Sequence, residues 1–267
     1  MFKEGVDGVK TNYFKVTEHP GLGATREQLE RLCHRYYFVR GHVEKKDVLE
    51  VACGTGIGLP YLAERANKVV GVDIDEKNLE MAKKVVDGDN RVVLVQADAH
   101  NLPFKKDSFD VVLLYEAIYY LQNPADFVRE AYRGLRDNGL LVICSVNKLW
   151  RDFHPSPYTH SYFSIQEMAS LLEDAGFKVS GRWGAFKIST GVRDYIIFLI
   201  KKIALRFNLI PGTLQARTIL KRIFMGKLRP LPSRISAGMV EYLKPSPIVT
   251  DRDSSEFKIL YVVGKKA

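Results

Sequence analysis

From residue 47 onward the chain alternates short β-branched runs with stretches of helical spacing, and this alternation restricts the fold more than any other feature. Predicted strands cover 47–54 (DVLEVACG), 68–74 (KVVGVDI), 91–99 (RVVLVQADA), 110–117 (DVVLLYEA), 140–146 (LLVICSV), 177–183 (FKVSGRW) and 257–264 (FKILYVVG). Predicted helices fall at 59–66, 76–86, 125–136 and 165–175, the third ended by Asn138-Gly139 and the fourth by Gly176. Strands that alternate with helices form parallel sheets covered on both faces, and VVLVQ, apolar without a polar alternate, suits a strand buried on both sides. A further helix is expected over 26–39, ahead of the sheet. The expected fold class is α/β, with a doubly wound sheet of seven strands.

Length and composition agree with that class. The 267 residues suffice for one large α/β domain with an appendage, and 46% apolar with 27% charged residues is ordinary for a globular chain. The longest apolar run, Tyr195 to Ile200, is broken by Lys201 and Lys202, far short of the roughly 20 residues of a membrane span. The first ten residues, MFKEGVDGVK, hold no apolar stretch of the secretory kind. Cys33, Cys53 and Cys144 are too few and too scattered for a disulfide framework or a zinc pattern. A reducing, cytoplasmic location is the expectation.

The chemistry is concentrated at the ends of the first three strands. After Ala52 the chain turns through Gly54, Gly56 and Gly58 into a helix, and glycines there allow a sharp turn and close approach of a ligand to the backbone. The second strand ends on Asp73 and the third on Asp98. Ionised carboxylates accept hydrogen bonds and donate none, so Asp73 suits a pair of ribose hydroxyls. Three such tips line the sheet edge where open α/β folds bind ligands. The loop lacks the third glycine of a dinucleotide fingerprint, which would fall at Leu59, and no Gly-Lys-Ser/Thr follows for a nucleoside triphosphate.

The stretches LEVACGTGIG, VVGVDID, QADAHNLPF, FDVVLLYEAIYYL and REAYRGLRDNGLLVI together resemble the motif series of class I S-adenosylmethionine-dependent methyltransferases of the small-molecule type, across residues 45–183 and the final strand. The resemblance implies a Rossmann-like sheet and S-adenosyl-L-methionine as cofactor. It implies that Glu50, Ala52, Gly54 and Gly56 shape the methionine end of its site. Asp73 would take the ribose hydroxyls, Ile74 would pack on the adenine, Asp98 would accept from the adenine amine, Ala99 would offer a backbone donor, and Tyr115 would sit beside the sulfonium. It implies an enzyme that transfers a methyl group by in-line displacement. Alignment and exclusion of water then carry the catalysis, together worth about 7–11 kcal/mol.

A hydroxyl acceptor needs a base in addition. The candidates are Glu116, at the tip of the fourth strand, and His154 and His160, in the proline-stiffened aromatic loop FHPSPYTHSYF. Tyr119, Tyr120 and Tyr158 are the expected substrate-binding walls. Two histidines six apart without cysteine or acid partners do not make a metal site, and none is expected. A small polar acceptor, with a sugar or sugar-linked intermediate leading, is the expected substrate. Methylation of RNA or another macromolecule, and a non-catalytic S-adenosylmethionine-binding role, are the alternatives. Nucleic acid is disfavoured because no Asn/Asp-Pro-Pro-aromatic run follows the fourth strand to stack a flipped base.

The formal charge of +9 has one source: between Ile188 and Ser236 stand ten lysines and arginines and one acid, Asp194. This stretch includes RDYIIFLIKKIALRFNLIPG, whose apolar residues follow helical spacing from Ile196 to Ile210, and a second helical stretch at 213–224. The organisation expected is an N-terminal helical segment (1–46), the methyltransferase domain (47–187 plus 256–267) and an inserted basic helical cap (188–255). The basic face of the cap would suit an anionic small-molecule acceptor or peripheral contact with an acidic membrane leaflet.

Overall fold

The computed structural model describes residues 12–156, 158–188, 228–249 and 252–267. The two helices expected over 196–210 and 213–224 lie outside the described residues. A single 3-10 turn, Tyr13–Val16, opens the described chain. It is followed by β1 (Gly23–Ala24) and α1 (Arg26–Val39). Helix α1 starts where Thr25 and Gln28 cap each other: the Thr25 hydroxyl accepts the Gln28 N–H at 3.2 Å and Gln28 Oε1 accepts the Thr25 N–H at 2.9 Å.

The alternating region folds as its pattern dictates, into β2 (Asp47–Val51), α2 (Leu59–Ala63), β3 (Lys68–Asp73), α3 (Glu76–Val85), β4 (Val92–Gln96), β5 (Phe109–Tyr115), α4 (Pro124–Gly134), β6 (Leu135–Val146), α5 (Ile165–Asp174) and β7 (Phe177–Lys187). Two short strands, β8 (Arg229–Pro230) and β9 (Ser246–Pro247), precede β10 (Phe257–Lys266). The main sheet runs β4-β3-β2-β5-β6-β10-β7-β9, with β4 to β6 parallel and β10 antiparallel to both β6 and β7. All seven expected strands are present, and the two-residue β9 adds an eighth at the edge. One expectation changes. Asn138-Gly139 does not end a helix; α4 stops at Gly134, and Asn138, with φ 64°, bends the start of β6.

Each parallel strand sends alternate side chains into two cores. Val48 and Val111 pack with α1 and α2, while Leu49, Val51 and Val112 pack with α4 and α5. From β2 the chain builds outward through β3 to β4, then returns to β5 on the other side of β2. The crevice above β2 and β5 is therefore the switch point at which such sheets take ligands.

The described part of the inserted segment, 228–249, contains no helix. It runs back along the N-terminal segment, pairing β8 with β1, and buries Leu231 and Ile235 in the core that holds α1. No helix among the described residues is long and apolar enough to cross a membrane.

Candidate cofactor and acceptor site

A cavity of about 640 Å³ opens at the switch point. Its floor is the tips of β2, β3 and β5, and its far wall is one face of α1, where Gln28, Arg31, Leu32 and Arg35 recur at helical spacing.

The glycine loop is held by the strand next to it. The Gly54 N–H donates to Asp73 Oδ2 at 2.8 Å, while Asp73 Oδ1 accepts from the Asp75 N–H at 2.9 Å and from Asn78 Nδ2 at 3.1 Å. Burial raises the Asp73 carboxyl above the ordinary value, and these bonds counter the rise. Asp73 is thus a keystone of the loop as well as an acceptor facing the cavity. Gly54 has φ +57°, and an added Cβ would meet the Thr17 methyl at 2.8 Å, so the loop has no room for a side chain there.

Glu50 is 2% exposed, on the α1 face of β2. Its Oε1 accepts the Tyr36 hydroxyl at 2.7 Å, and its Oε2 has no partner among the described residues. Burial pushes this carboxyl up to about 7, against the pull of the Tyr36 bond and of Arg35. An acid desolvated in this way, with one oxygen unpaired on a cavity wall, fits an incoming ammonium group. Ile74, 50% exposed beyond β3, offers an apolar platform, and Asp98 lies beyond it. Asp98 Oδ1 accepts from the backbone and the ring of His100, at 2.9 and 2.5 Å. Ala52 and Glu116, the residues that follow β2 and β5, both have φ above +50°. Two non-glycine residues held in the left-handed region at adjacent strand tips mark the floor of the cavity as a constrained site.

On the acceptor side Glu116 Oε2 accepts the Tyr119 hydroxyl at 2.9 Å. Burial raises the Glu116 carboxyl, and Arg35 and the Tyr119 bond work against the rise. Arg35 is itself buried and paired with Glu18 at 2.6 Å. Tyr115 is buried, with its ring edge-on to Tyr36 at 5.3 Å. Tyr120 closes the rim through its hydroxyl contact with Ser156 at 3.0 Å.

The structure gathers Glu50, Ala52, Gly54, Asp73, Ile74, Asp98, Ala99, Tyr115, Glu116, Tyr119, Tyr120 and His160 on this one cavity. Gly56 turns the loop beneath it, with φ +71°. His154 and Tyr158 are not brought to its wall: both are exposed, and Tyr158 meets only the edge of Tyr13 at 6.5 Å among its ring contacts. Among the described residues of this proline-stiffened loop His160 is the one that lines the cavity; it too is exposed, and its backbone N–H donates to the Tyr119 carbonyl at 2.8 Å.

Sequence reasoning missed Tyr13, Thr17, Glu18 and the α1 residues that complete the cavity. A signal existed for α1: Arg31 and Arg35 stand on the helix face that also carries Leu32, Tyr36 and Val39. A cation repeated on an apolar stripe asks for a buried partner.

Residues 49–143 match the family model described as a methyltransferase domain. This stretch is a methyltransferase domain, similar in sequence to those of S-adenosylmethionine-dependent methyltransferases. A probable S-adenosylmethionine-dependent methyltransferase of Mycolicibacterium smegmatis is 32% identical over 161 residues, 59% of this chain and 59% of that protein. The demethylmenaquinone methyltransferase of Clavibacter sepedonicus is 38% identical over 97 residues, 36% of this chain and 40% of that protein. The matched stretches thus span between two fifths and three fifths of these relatives' lengths. Among solved structures, an S-adenosylmethionine-dependent methyltransferase from Aquifex aeolicus aligns with TM-score 0.50 and 25% identity, over 60% of this chain and 92% of that one. The cofactor of the methyltransferase domain is S-adenosylmethionine. The unpaired Glu50 oxygen, the exposed Ile74 platform and the free side of Asp98 fit its ammonium, adenine ring and adenine amine in turn.

Proposed function

We propose that this protein methylates a hydroxyl of a small polar molecule, with Glu116 as the base and Tyr119 and His160 beside the acceptor. The observation that carries this reading is the position of Glu116, whose carboxylate stands at the β5 tip on the cavity that the cofactor-binding residues line. S-adenosylmethionine supplies an electrophilic methyl whose departure leaves a neutral thioether, so no acid is required. The protein's work is to align the acceptor, exclude water and remove one proton. Burial raises the affinity of Glu116 for that proton, while Arg35 and the Tyr119 bond favour the carboxylate.

A sugar or sugar-linked hydroxyl is the acceptor class this wall suits, because polar Gln28, Arg31 and His160 line the same cavity as the aromatic Tyr119. An anionic substituent on it would find Arg31, which lines the cavity, pairs with Glu27 at 2.5 Å and keeps Nε without a partner among the described residues. The small-molecule acceptor in the name of the Clavibacter relative supports the size class.

The test is release of S-adenosylhomocysteine on incubation with panels of sugar phosphates, nucleotide sugars, phenols and primary amines. Turnover confined to hydroxyl acceptors, falling about 100-fold or more in Glu116→Gln with cofactor affinity unchanged, is the expected result. Turnover of amines alone, or full activity in Glu116→Gln, would overturn it.

A further inference from the structure

Asp98 is held by its neighbour two residues on, in a way its strand does not explain. Its Oδ1 accepts twice from His100, from the backbone N–H at 2.9 Å and from ring Nδ1 at 2.5 Å. The other ring nitrogen, Nε2, accepts the backbone N–H of Asn123 at 3.2 Å, at the start of α4. An amide N–H can only donate, so Nε2 carries the lone pair and the ring proton sits on Nδ1, directed at Asp98. Both donors to Asp98 thus fall on one oxygen, and Oδ2 accepts nothing among the described residues. The imidazole is fixed at both ends, by the acid at the β4 tip and by the loop that carries the acceptor-side tyrosines.

We propose that His100 is the residue that makes the cofactor site selective for adenine, by locking Asp98 with Oδ2 turned towards the exocyclic position of the base. The inference rests on the reading of Asp98 as the partner of the adenine amine. A carboxylate oxygen held there accepts from the amino group of adenine and repels the oxo group of hypoxanthine. A carboxylate free to rotate avoids that repulsion and loses the preference. The ring therefore acts through Asp98 and need not touch the cofactor.

The test compares S-adenosylhomocysteine with S-inosylhomocysteine by calorimetry on the full chain. The native protein should prefer the adenine ligand by about 10- to 100-fold, the range for a hydrogen bond to a charged group. In His100→Ala the preference should shrink to within about threefold, mostly through weaker binding of the adenine ligand. His100→Asn places an amide donor near the position of Nδ1 and should restore most of the preference, although it cannot accept from Asn123. His100→Phe fills the ring volume without a donor and carries the comparison if the alanine variant does not fold. An unchanged ratio in the alanine and phenylalanine variants, or an equal loss of both ligands in all three variants, would overturn the inference. Equal affinity of the native protein for the two ligands would overturn it too and leave the methyltransferase reading standing. Binding of neither ligand by the native protein would remove both.

Discussion

Glu50 is the residue at which this site is most sensitive to pH. Its carboxyl, on a residue that lines the cavity, is pushed up to about 7 by burial, and Oε2 has no partner among the described residues. An ammonium group arriving at that oxygen favours the carboxylate, so the value in the complex lies below that in the free protein. Below pH 7 the free site is mostly protonated and binding must expel the proton. Affinity for S-adenosylhomocysteine should therefore rise by up to about tenfold per pH unit towards pH 7 and level off above it. Calorimetry from pH 5.5 to 8.5, in two buffers of different ionisation enthalpy, should show proton release on the acid side and none in Glu50→Gln. An affinity independent of pH would contradict the assignment. At this scale the sequence was legible where chemistry follows from position on a strand: Asp73, Asp98 and Glu116 are strand-tip acids, Glu50 came from the family resemblance, and all four line the cavity. It was not legible for His154 and Tyr158, because inward or outward facing in a loop depends on contacts made across the fold.

At the scale of elements, the glycine loop and α1 act as one unit. An added Cβ on Gly58 would lie 1.9 Å from Tyr36 Cζ, so the tyrosine ring lies directly on the loop backbone. The same ring donates to Glu50 and meets Tyr115 edge-on. Gly58→Ala must displace the ring, and overpacking of this kind costs about 1–3 kcal/mol. Loss of stability in urea should come with cofactor affinity weakened at least about tenfold, because Glu50 loses its anchor. A variant equally destabilised but binding normally would separate the loop from the site. The strands and sheet-covering helices were legible from hydrophobic period alone, and α1 was read over its full length, 26–39. The function of α1 was not legible, since an amphipathic helix ahead of a sheet looks the same whether it covers a core or walls a cavity. Only the pairing of Arg35 with Glu18 and the approach of Tyr36 to Glu50 distinguish the two.

At the scale of the molecule, the cavity is closed by chain remote from the glycine loop in sequence. The Phe14 N–H donates to Asp75 Oδ2 at 3.1 Å, the Thr55 hydroxyl donates to the Glu18 carbonyl at 2.8 Å, and Asn78 Nδ2 donates to Thr17 Oγ1 at 3.3 Å. Each bond joins residues 14–18 to the glycine loop or to α3. No residue of the Tyr13–Val16 turn is buried, so the strap adds little to the core it crosses. It does add a wall: Tyr13, Val16, Thr17 and Glu18 all face the cavity. Downstream, β1 and α1 are held independently, by pairing with β8 and by the core, so the fold does not hang from the strap. Removal of residues 1–18 should leave the helical and strand signal of the far-ultraviolet spectrum unchanged and lower Tm by only a few degrees. Affinity for S-adenosylhomocysteine should drop at least about tenfold, since water then reaches Asp73 and the glycine loop and weakens each polar contact there. The stabilisation given by saturating ligand, about 2.7 kcal/mol at a hundred times Kd for the full chain, should shrink to match when both chains are compared at the same ligand concentration. Unchanged affinity in the shortened chain would mean that the strap covers the cavity without contributing to binding. An unfolded product would mean that the charge of Arg35, left without Glu18, is what the core cannot tolerate, and Arg35→Met in the shortened chain should then recover the fold.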